Sequence, residues 1–322
     1  MPYLIGTDEA GYGPNLGPLV IAGSRWRLPE VVLGELLYAR LAPVVVAHAK
    51  RGLLDAGQVA LADSKVLYSP ARGVELLEQG LWITWGMLGA RPVTLEGVWQ
   101  LIAPGACTAR HEALCGRVES LPVPLVADMN AIDAALPGIR KAFHKAGVCL
   151  EAIRSRAVFP AEFNRAVTIS GSKGASLSRW TLQLVKELLP SPLDDAAHIV
   201  CDKHGGRDRY LPILTEAFPG AFIEILRETS RQSDYRIRLN GQCVEIAFQA
   251  KGETHMPTAL ASMTAKYLRE LAMLAFNRFW QEHLPELKPT AGYPQDAARF
   301  HREIATILRG LGIASELVWR TK

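Results

Sequence analysis

Four acidic residues fall where a catalytic carboxylate would be useful. Asp8 and Glu9 close a short apolar run, residues 3–7, and run into a turn rich in glycine and proline, Gly11 to Pro18. Asp202 follows the apolar Ile199-Val200-Cys201 and precedes Lys203-His204-Gly205-Gly206, and Glu253 follows Lys251-Gly252 after another apolar run. Each has an ordinary use. Asp8 and Glu9 can cap a turn, Asp202 can cap the helix expected from Arg207, and Glu253 can sit at a helix start where the dipole favours it. Together they suggest more. Acids at strand ends that converge on one sheet edge repel one another unless divalent cations neutralise them. All-oxygen donors suit Mg²⁺ or Mn²⁺, and two such ions about 3.5–4 Å apart support in-line phosphodiester cleavage. One geometric condition applies. Neighbours on a regular strand point to opposite faces, so Asp8 and Glu9 are expected to serve one site only if the chain leaves strand geometry near Glu9.

The elements that must place these acids are legible in part. Residues 3–7 and 19–23 read as a hairpin. Residues 29–49 have a helical pattern with Pro43 as a break, and 70–90 another, carrying Leu76, Leu77, Leu81 and Trp82. Residues 91–147, with five prolines, predict short elements and loops. Beyond them come a strand at 148–158, a helix at 176–189 capped by Ser176 or Ser178, a strand at 198–201 and a helix at 207–217. Strands follow at 222–226, 235–239 and 243–249, then a long helix over 257–283 and a last one over 294–311. Strands mixed with helices predict an α/β fold with a mixed central sheet flanked by helices.

Composition bounds the function class. The 322 residues are 49% hydrophobic and 21% charged, which argues against disorder, collagen and coiled coil. No apolar run approaches the roughly 20 residues of a membrane span, and no secretory leader is visible at the start of the sequence. Five cysteines without metal spacing suit free thiols and a cytoplasmic location. A net charge of +4 permits a polyanionic partner without demanding one. Arg227, Arg231, Arg236 and Arg238 form either a nucleic-acid surface or a solvated hairpin, and Arg140, Lys141, His144 and Lys145 read as a helix face. His48, His111 and His198 read as structural, and Ser170 to Ser178 as a connector.

A set of short motifs in order makes the chain resemble the ribonuclease HII family. Gly6-Thr7-Asp8-Glu9-Ala10-Gly11-Tyr12-Gly13 with Leu16-Gly17-Pro18 looks like that family's opening motif, and Asp63-Ser64-Lys65 is similar to its Asp-Ser-Lys. Phe163-Asn164, the strand ending at Asp202, Lys251-Gly252-Glu253, Ala261 to Lys266 with Arg269, Gly292-Tyr293 with His301, and the terminal Trp319-Arg320 resemble further segments. The matches run from residue 6 to near residue 320.

The resemblance implies a ribonuclease H-like fold spanning residues 1–322 as one catalytic domain, its C-terminal part helical from about 257. It implies a metal-dependent endoribonuclease that cleaves the RNA strand of RNA–DNA hybrids, or duplexes containing ribonucleotides, as a monomer. Asp8, Glu9, Asp202 and Glu253 would be both the catalytic and the metal-binding residues, holding two Mg²⁺ or Mn²⁺ ions, with the ribonucleotide's 3′ oxygen as leaving group. Gly11, Tyr12, Gly13, Ser64, Lys65, Lys266, Arg269 and Tyr293 would bind substrate. The neighbouring readings are a ribonuclease HIII-like or other nuclease of the same fold, or a nucleic-acid-binding protein with weak catalysis.

The chain departs from the family in three places. Tyr12 replaces the arginine of Gly-Arg-Gly, Glu253 replaces an aspartate, and the stretch from Asp63 to Asp202 is long enough to contain an insertion around 85–155.

Overall fold

The computed structural model describes residues 1–29, 34–104, 121–239 and 241–321, without the side chains of residues 34, 35 and 253. The centre is a seven-stranded mixed sheet in the order β5-β2-β1-β6-β9-β8-β7. β1 (Tyr3–Ala10) and β2 (Leu19–Arg27) form the expected hairpin, each longer than its apolar core. β5 (Cys149–Val158) pairs antiparallel with β2, so one flank of the sheet is antiparallel. On the other flank β6 (Ala197–Asp202) runs parallel to β1, and β9 (Gln242–Gln249) runs parallel to β6. β7 (Phe222–Glu228) and β8 (Gln232–Leu239) extend the sheet as an antiparallel meander. This is the α/β architecture with a mixed central sheet flanked by helices that the sequence predicts.

The period-two alternation of β1 divides the core. Leu4 faces a layer with Val20, Trp26 and a long helix, while Tyr3 and Ile5 face the opposite layer with Leu177, Val185 and Ile213. The first layer contains α1 (Gly34–Leu41), a two-stranded parallel pair β3 (Val45–Val46) and β4 (Val59–Ala60), α2 (Ser64–Leu67), α3 (Glu75–Met87), α4 (Leu95–Ile102) and α5 (Met129–Ala146). The second contains α6 (Pro160–Ser170), α7 (Lys173–Leu188) and α8 (Leu211–Ala217). The 28-residue α9 (Met256–His283) crosses β1 and β2, and a third cluster joins Met273, Phe276 and Trp280 of α9 to Phe300 and Ile304 of α10 (Pro294–Gly310).

One residue lets α9 lie directly on the sheet. A Cβ at Gly6 would come within 2.2 Å of the Thr258 nitrogen, so any other residue there would push the helix away. Ser24 Oγ fixes the same end by donating to the Pro257 carbonyl at 2.8 Å, and Thr258 Oγ1 donates to the Val200 carbonyl at 3.3 Å. The start of α9 is therefore pinned beside Asp8.

Several expectations are corrected. α1 ends at Leu41, before Pro43, and Val45–Val46 is a strand rather than helix. The stretch 91–147 contains the 18-residue α5 with Pro137 inside it. The buried stripe Ile132, Leu136, Ile139 and Phe143 outweighs the one backbone hydrogen bond that proline forgoes. α7 starts three residues earlier than expected and is capped by Ser172, whose Oγ accepts from the Ala175 N–H at 3.1 Å. Ser176 and Ser178 lie buried inside it. α8 begins only at Leu211, not Arg207. His111, Cys107 and Cys115 lie outside the described residues.

Candidate active site

Asp8 and Asp202 are delivered by adjacent parallel strands. The β1–β6 register ends with Thr7 opposite Cys201, so the two aspartates follow side by side at the carboxyl ends of strands about 4.8 Å apart. That edge is where α/β sheets form ligand sites. Burial, and then the charges of Asp202 and Asp63, push the Asp8 carboxyl up to about 7 against the hydrogen bonds it accepts from Ser262 and from the Glu9 N–H. The Glu9 N–H lies 2.8 Å from Asp8 Oδ1. Burial, then Asp8, then Asp202 raise Glu9 well above the usual carboxylate range, and Lys65 opposes them.

The condition placed on Glu9 is not met. β1 stays regular to its end, with Glu9 opposite Ile21 and Ala10 opposite Val20. The side chains therefore leave opposite faces, yet the charges of both aspartates still reach Glu9.

Asp202 also meets the turn that carries Glu253. The Gly252 N–H lies 3.4 Å from Asp202 Oδ1 in a 3-10 turn, Gly252–Thr254. The turn is entered through Lys251 at φ +66°, a left-handed conformation costing a non-glycine residue about 1–2 kcal/mol. The Glu253 backbone thus follows a group in contact with Asp202, while its side chain lies outside the described residues. Among the described residues no three His, Cys, Asp or Glu side chains form a ready ligand set for a metal. The donor chemistry nonetheless fits a hard cation. The groups are all oxygen donors, and Asp8 and Glu9 hold their protons more tightly because of burial first and neighbouring negative charge second.

Two residues of this centre had no role assigned from sequence. Ser262 on α9 donates toward Asp8 and lies 3.2 Å from Asp63 Oδ1 and 3.0 Å from Ser64 Oγ. Asp63 is the N-cap of α2, accepting from the Lys65 N–H at 3.2 Å, and it adds a further carboxylate beside Asp8. The signal was present: an Asp-Ser-Lys opening reads as a helix cap.

The other expected substrate residues separate into two groups. Lys65 is 84% exposed and acts on Glu9, while Ser64 is buried beneath it against Ser262. Tyr293 is 59% exposed at the start of α10. The Gly292 carbonyl, which precedes it, accepts from the Asn15 and Leu16 N–H groups, tying Tyr293 to the turn that contains Gly11, Tyr12 and Gly13. In contrast, Arg269 is 4% exposed and donates to the carbonyls of Pro18, Leu16 and Ala291. It clamps the β1–β2 turn and does not present its guanidinium to a phosphate. Lys266 binds Glu270 Oε1 at 2.5 Å and lies 4.1 Å over the Tyr68 ring. Of the four hairpin arginines, Arg227 is paired with Asp234, and Arg236 with Glu224 and Glu245.

Tyr12 has a packed position. A Cβ at Gly205 would lie 3.1 Å from its phenol oxygen, so the ring rests against the loop that follows Asp202. Burial and Glu9 raise its pKa, while Arg207 lowers it. The same loop is held from below by His204. Its Nδ1 is 2.9 Å from Ser178 Oγ, its ring sits edge-on to Tyr210 and Phe248, and burial pushes it down to about 3.

No family model matches the chain, and no curated protein matches it. Solved structures similar to it are ribonucleases of types HII and HIII. The ribonuclease HII from Archaeoglobus fulgidus, in a complex with PCNA, is 18% identical at a TM-score of 0.44, over 99% of this chain and 94% of that one. The ribonuclease H2 from Pyrococcus horikoshii OT3 is 14% identical at 0.47, over 98% and 92%. Bst ribonuclease HIII, in complex with Mn²⁺, is 14% identical at 0.43, over 99% of this chain and 66% of that one.

Proposed function

We propose that this chain is a metal-dependent endoribonuclease that cleaves the RNA strand of RNA–DNA hybrids and acts as a monomer. The observation that carries the reading is the delivery of Asp8 and Asp202 to one sheet edge by adjacent parallel strands, with Glu9 and Asp63 near enough for their charges to act on this pair. A fold with no use for cations gains nothing from that arrangement. Mg²⁺ or Mn²⁺ held by Asp8, Glu9, Asp202 and Glu253 would polarise the scissile phosphate and the attacking water. Ser262 keeps Asp8 and Asp63 oriented, and Lys65 holds a phosphate beside Glu9. The backbone N–H groups at Gly11 and Gly13 approach the ribose 2′-OH, the group by which a protein distinguishes RNA from DNA. Gly13 is suited to this because a Cβ there would meet nothing within 4 Å. Tyr293, exposed and tied to the same turn, stacks on the sugar or base next to the cut. The surplus chain around 85–155 is a family-atypical insertion.

Tyr12 favours a second reading of specificity. A phenol resting on Gly205 cannot supply the bidentate phosphate contact of an arginine, so a ribonuclease HIII-like preference for runs of ribonucleotides is the alternative. The test is cleavage of two labelled duplexes in Mg²⁺ or Mn²⁺, one with a run of ribonucleotides opposite DNA and one with a single embedded ribonucleotide. Cutting of both supports type-2 specificity, and cutting of the run alone supports the HIII-like alternative. Failure to cut either with either metal removes the hybrid-nuclease reading.

A further inference from the structure

A cavity of about 760 Å³ opens between the segment 49–52 and the turn 69–72, backed by the first turns of α3. Its polar lining is Lys50, Arg51, Arg72, Ser69, Glu75 and Gln79. Three of these are cations, and all three are exposed. Lys50 and Arg51 have no carboxylate or hydrogen-bond partner among the described residues. Arg72 donates through Nη1 to the Val66 carbonyl, which fixes the side chain and uses one of its five N–H donors. The one acid, Glu75, lies near the Gln79 amide at 3.4 Å. This is a concave, net-positive site whose cations have no ion pair among the described residues, unlike Arg227, Arg236 and Lys266.

The place of the cavity in the fold indicates its ligand. Ser69 follows Asp63 by six residues, with α2 between them, so its Cα lies at most about 20 Å from that of Asp63. Along a duplex each strand advances about 3.4 Å per phosphate, so 20 Å spans roughly six phosphates. Lys65 lies between Asp63 and Ser69 in the sequence. We propose that Lys50, Arg51 and Arg72 bind the phosphodiester backbone of the same duplex whose scissile bond lies at the acid centre, a few phosphates away from it. The proposal rests on the reading of the acid centre as a nuclease site. It adds a sequence-independent contact that lengthens the footprint on the duplex beyond the residues of the family motifs.

The test uses the full chain in two double variants, Lys50→Ser/Arg51→Ser and, as a control of equal charge on α5, Lys141→Ser/Lys145→Ser. Anisotropy of a labelled all-DNA duplex of about 20 base pairs is followed in Mg²⁺ from low to moderate salt, which reads the contact without needing cleavage. The cavity variant is expected to bind about tenfold more weakly at 0.1 M salt, with the log–log salt slope shallower by about 2, and the control to follow the parent. On a long hybrid the cavity variant is expected to raise KM and leave kcat unchanged. A single Arg72→Gln variant, expected to weaken binding in the same direction, supplies the third side chain. Equal affinity and slope in parent and cavity variant, or equal weakening in the control, overturns the proposal. So does a site that captures inorganic phosphate in the parent while duplex affinity is the same in parent and cavity variant, because it would then be a free-anion site. If no hybrid is cut but the cavity variant still loses DNA affinity, the nuclease reading falls and the binding surface stands.

Discussion

Glu78 and Asp8 are carboxylates that the same layer of the molecule treats in opposite ways. Glu78 on α3 is 0% exposed, and four donors surround it: the N–H groups of Leu125, Val126 and Ala127 and the hydroxyl of Tyr267. Backbone donors and a phenol satisfy the charge without a cation. Glu78 thereby fastens the segment entering α5 to α3 and α9. Asp8 is only half-buried, and the fold adds Asp202 and Asp63 to its surroundings and offers Ser262 and one N–H in return. The first acid is completed by the protein. The second is left incomplete, and incompleteness at a sheet edge is what a cation and a phosphate can use.

The largest expected effect removes the incomplete acids. Asp8→Asn or Asp202→Asn should lower the rate of hybrid cleavage by about 1,000-fold or more, since metal-centred charge stabilisation supplies several kcal/mol. Circular dichroism and thermal melting should show both variants folded, with metal-free Asp8→Asn at least as stable as the parent. Full cleavage by Asp202→Asn would remove it from the catalytic set.

Glu78→Ala should give the complementary result. Three N–H groups and a phenol would lose their acceptor in a closed interior, at a cost of about 3–5 kcal/mol. Urea unfolding reads this directly. Cleavage under conditions where the variant stays folded should stay within a few-fold of the parent. An unchanged urea midpoint would show that the two environments differ less than their geometry suggests.

The comparison sharpens further with pH. The folded Asp8 carboxyl is raised to about 7, so between its usual range and pH 7 the native state holds a proton that the unfolded chain has released. Without metal, stability therefore falls as pH rises from about 4 to about 7, and Glu9 acts in the same direction. Millimolar Mg²⁺ or Mn²⁺ should restore about 1–3 kcal/mol at neutral pH by binding only the folded state. Melting temperatures across this range, with metal and with EDTA, check both signs. Loss of the metal response in Asp8→Asn would tie it to this site.

How much of this was legible depended on whether the deciding physics was local. The strands ending at Glu9 and Asp202 announce themselves as apolar runs stopped by acids and glycines, and their pairing follows from the sheet they build. Pro137 was misleading because a buried stripe on α5 outweighs a local rule. Ser262 was invisible as a site residue because its part is set by Gly6, which brings α9 onto β1. Arg269 looked like a phosphate ligand beside Lys266 on one helix face. Only the packed turn shows that its donors are taken by three carbonyls. Cations are the hardest class to assign from sequence, since their use depends on which acids and carbonyls the fold brings within reach.

The smallest effects divide the two motif lysines on that ground. Lys65 is 84% exposed, acts on Glu9, and is only 3.8 Å from Asp63 in the geometry that caps α2. Lys266 is 23% exposed, bonded to Glu270, and covered on one side by the Tyr68 ring, whose hydroxyl donates to the same carboxylate at 2.8 Å. A phosphate reaching Lys266 would have to break an ion pair and a cation–π contact, each worth up to about 1 kcal/mol in a half-exposed setting. Lys65, at 84% exposure, is open to a phosphate from solvent. Lys65→Gln should therefore raise KM for a hybrid several-fold and make the salt slope of binding shallower by about 1. Lys266→Gln should leave KM within about twofold and instead lower stability by less than about 1 kcal/mol. The reverse order, with Lys266 carrying the salt dependence, would mean that the Glu270 pair opens when substrate arrives. The boundary between completed and incomplete charges would then have to be drawn for the bound state.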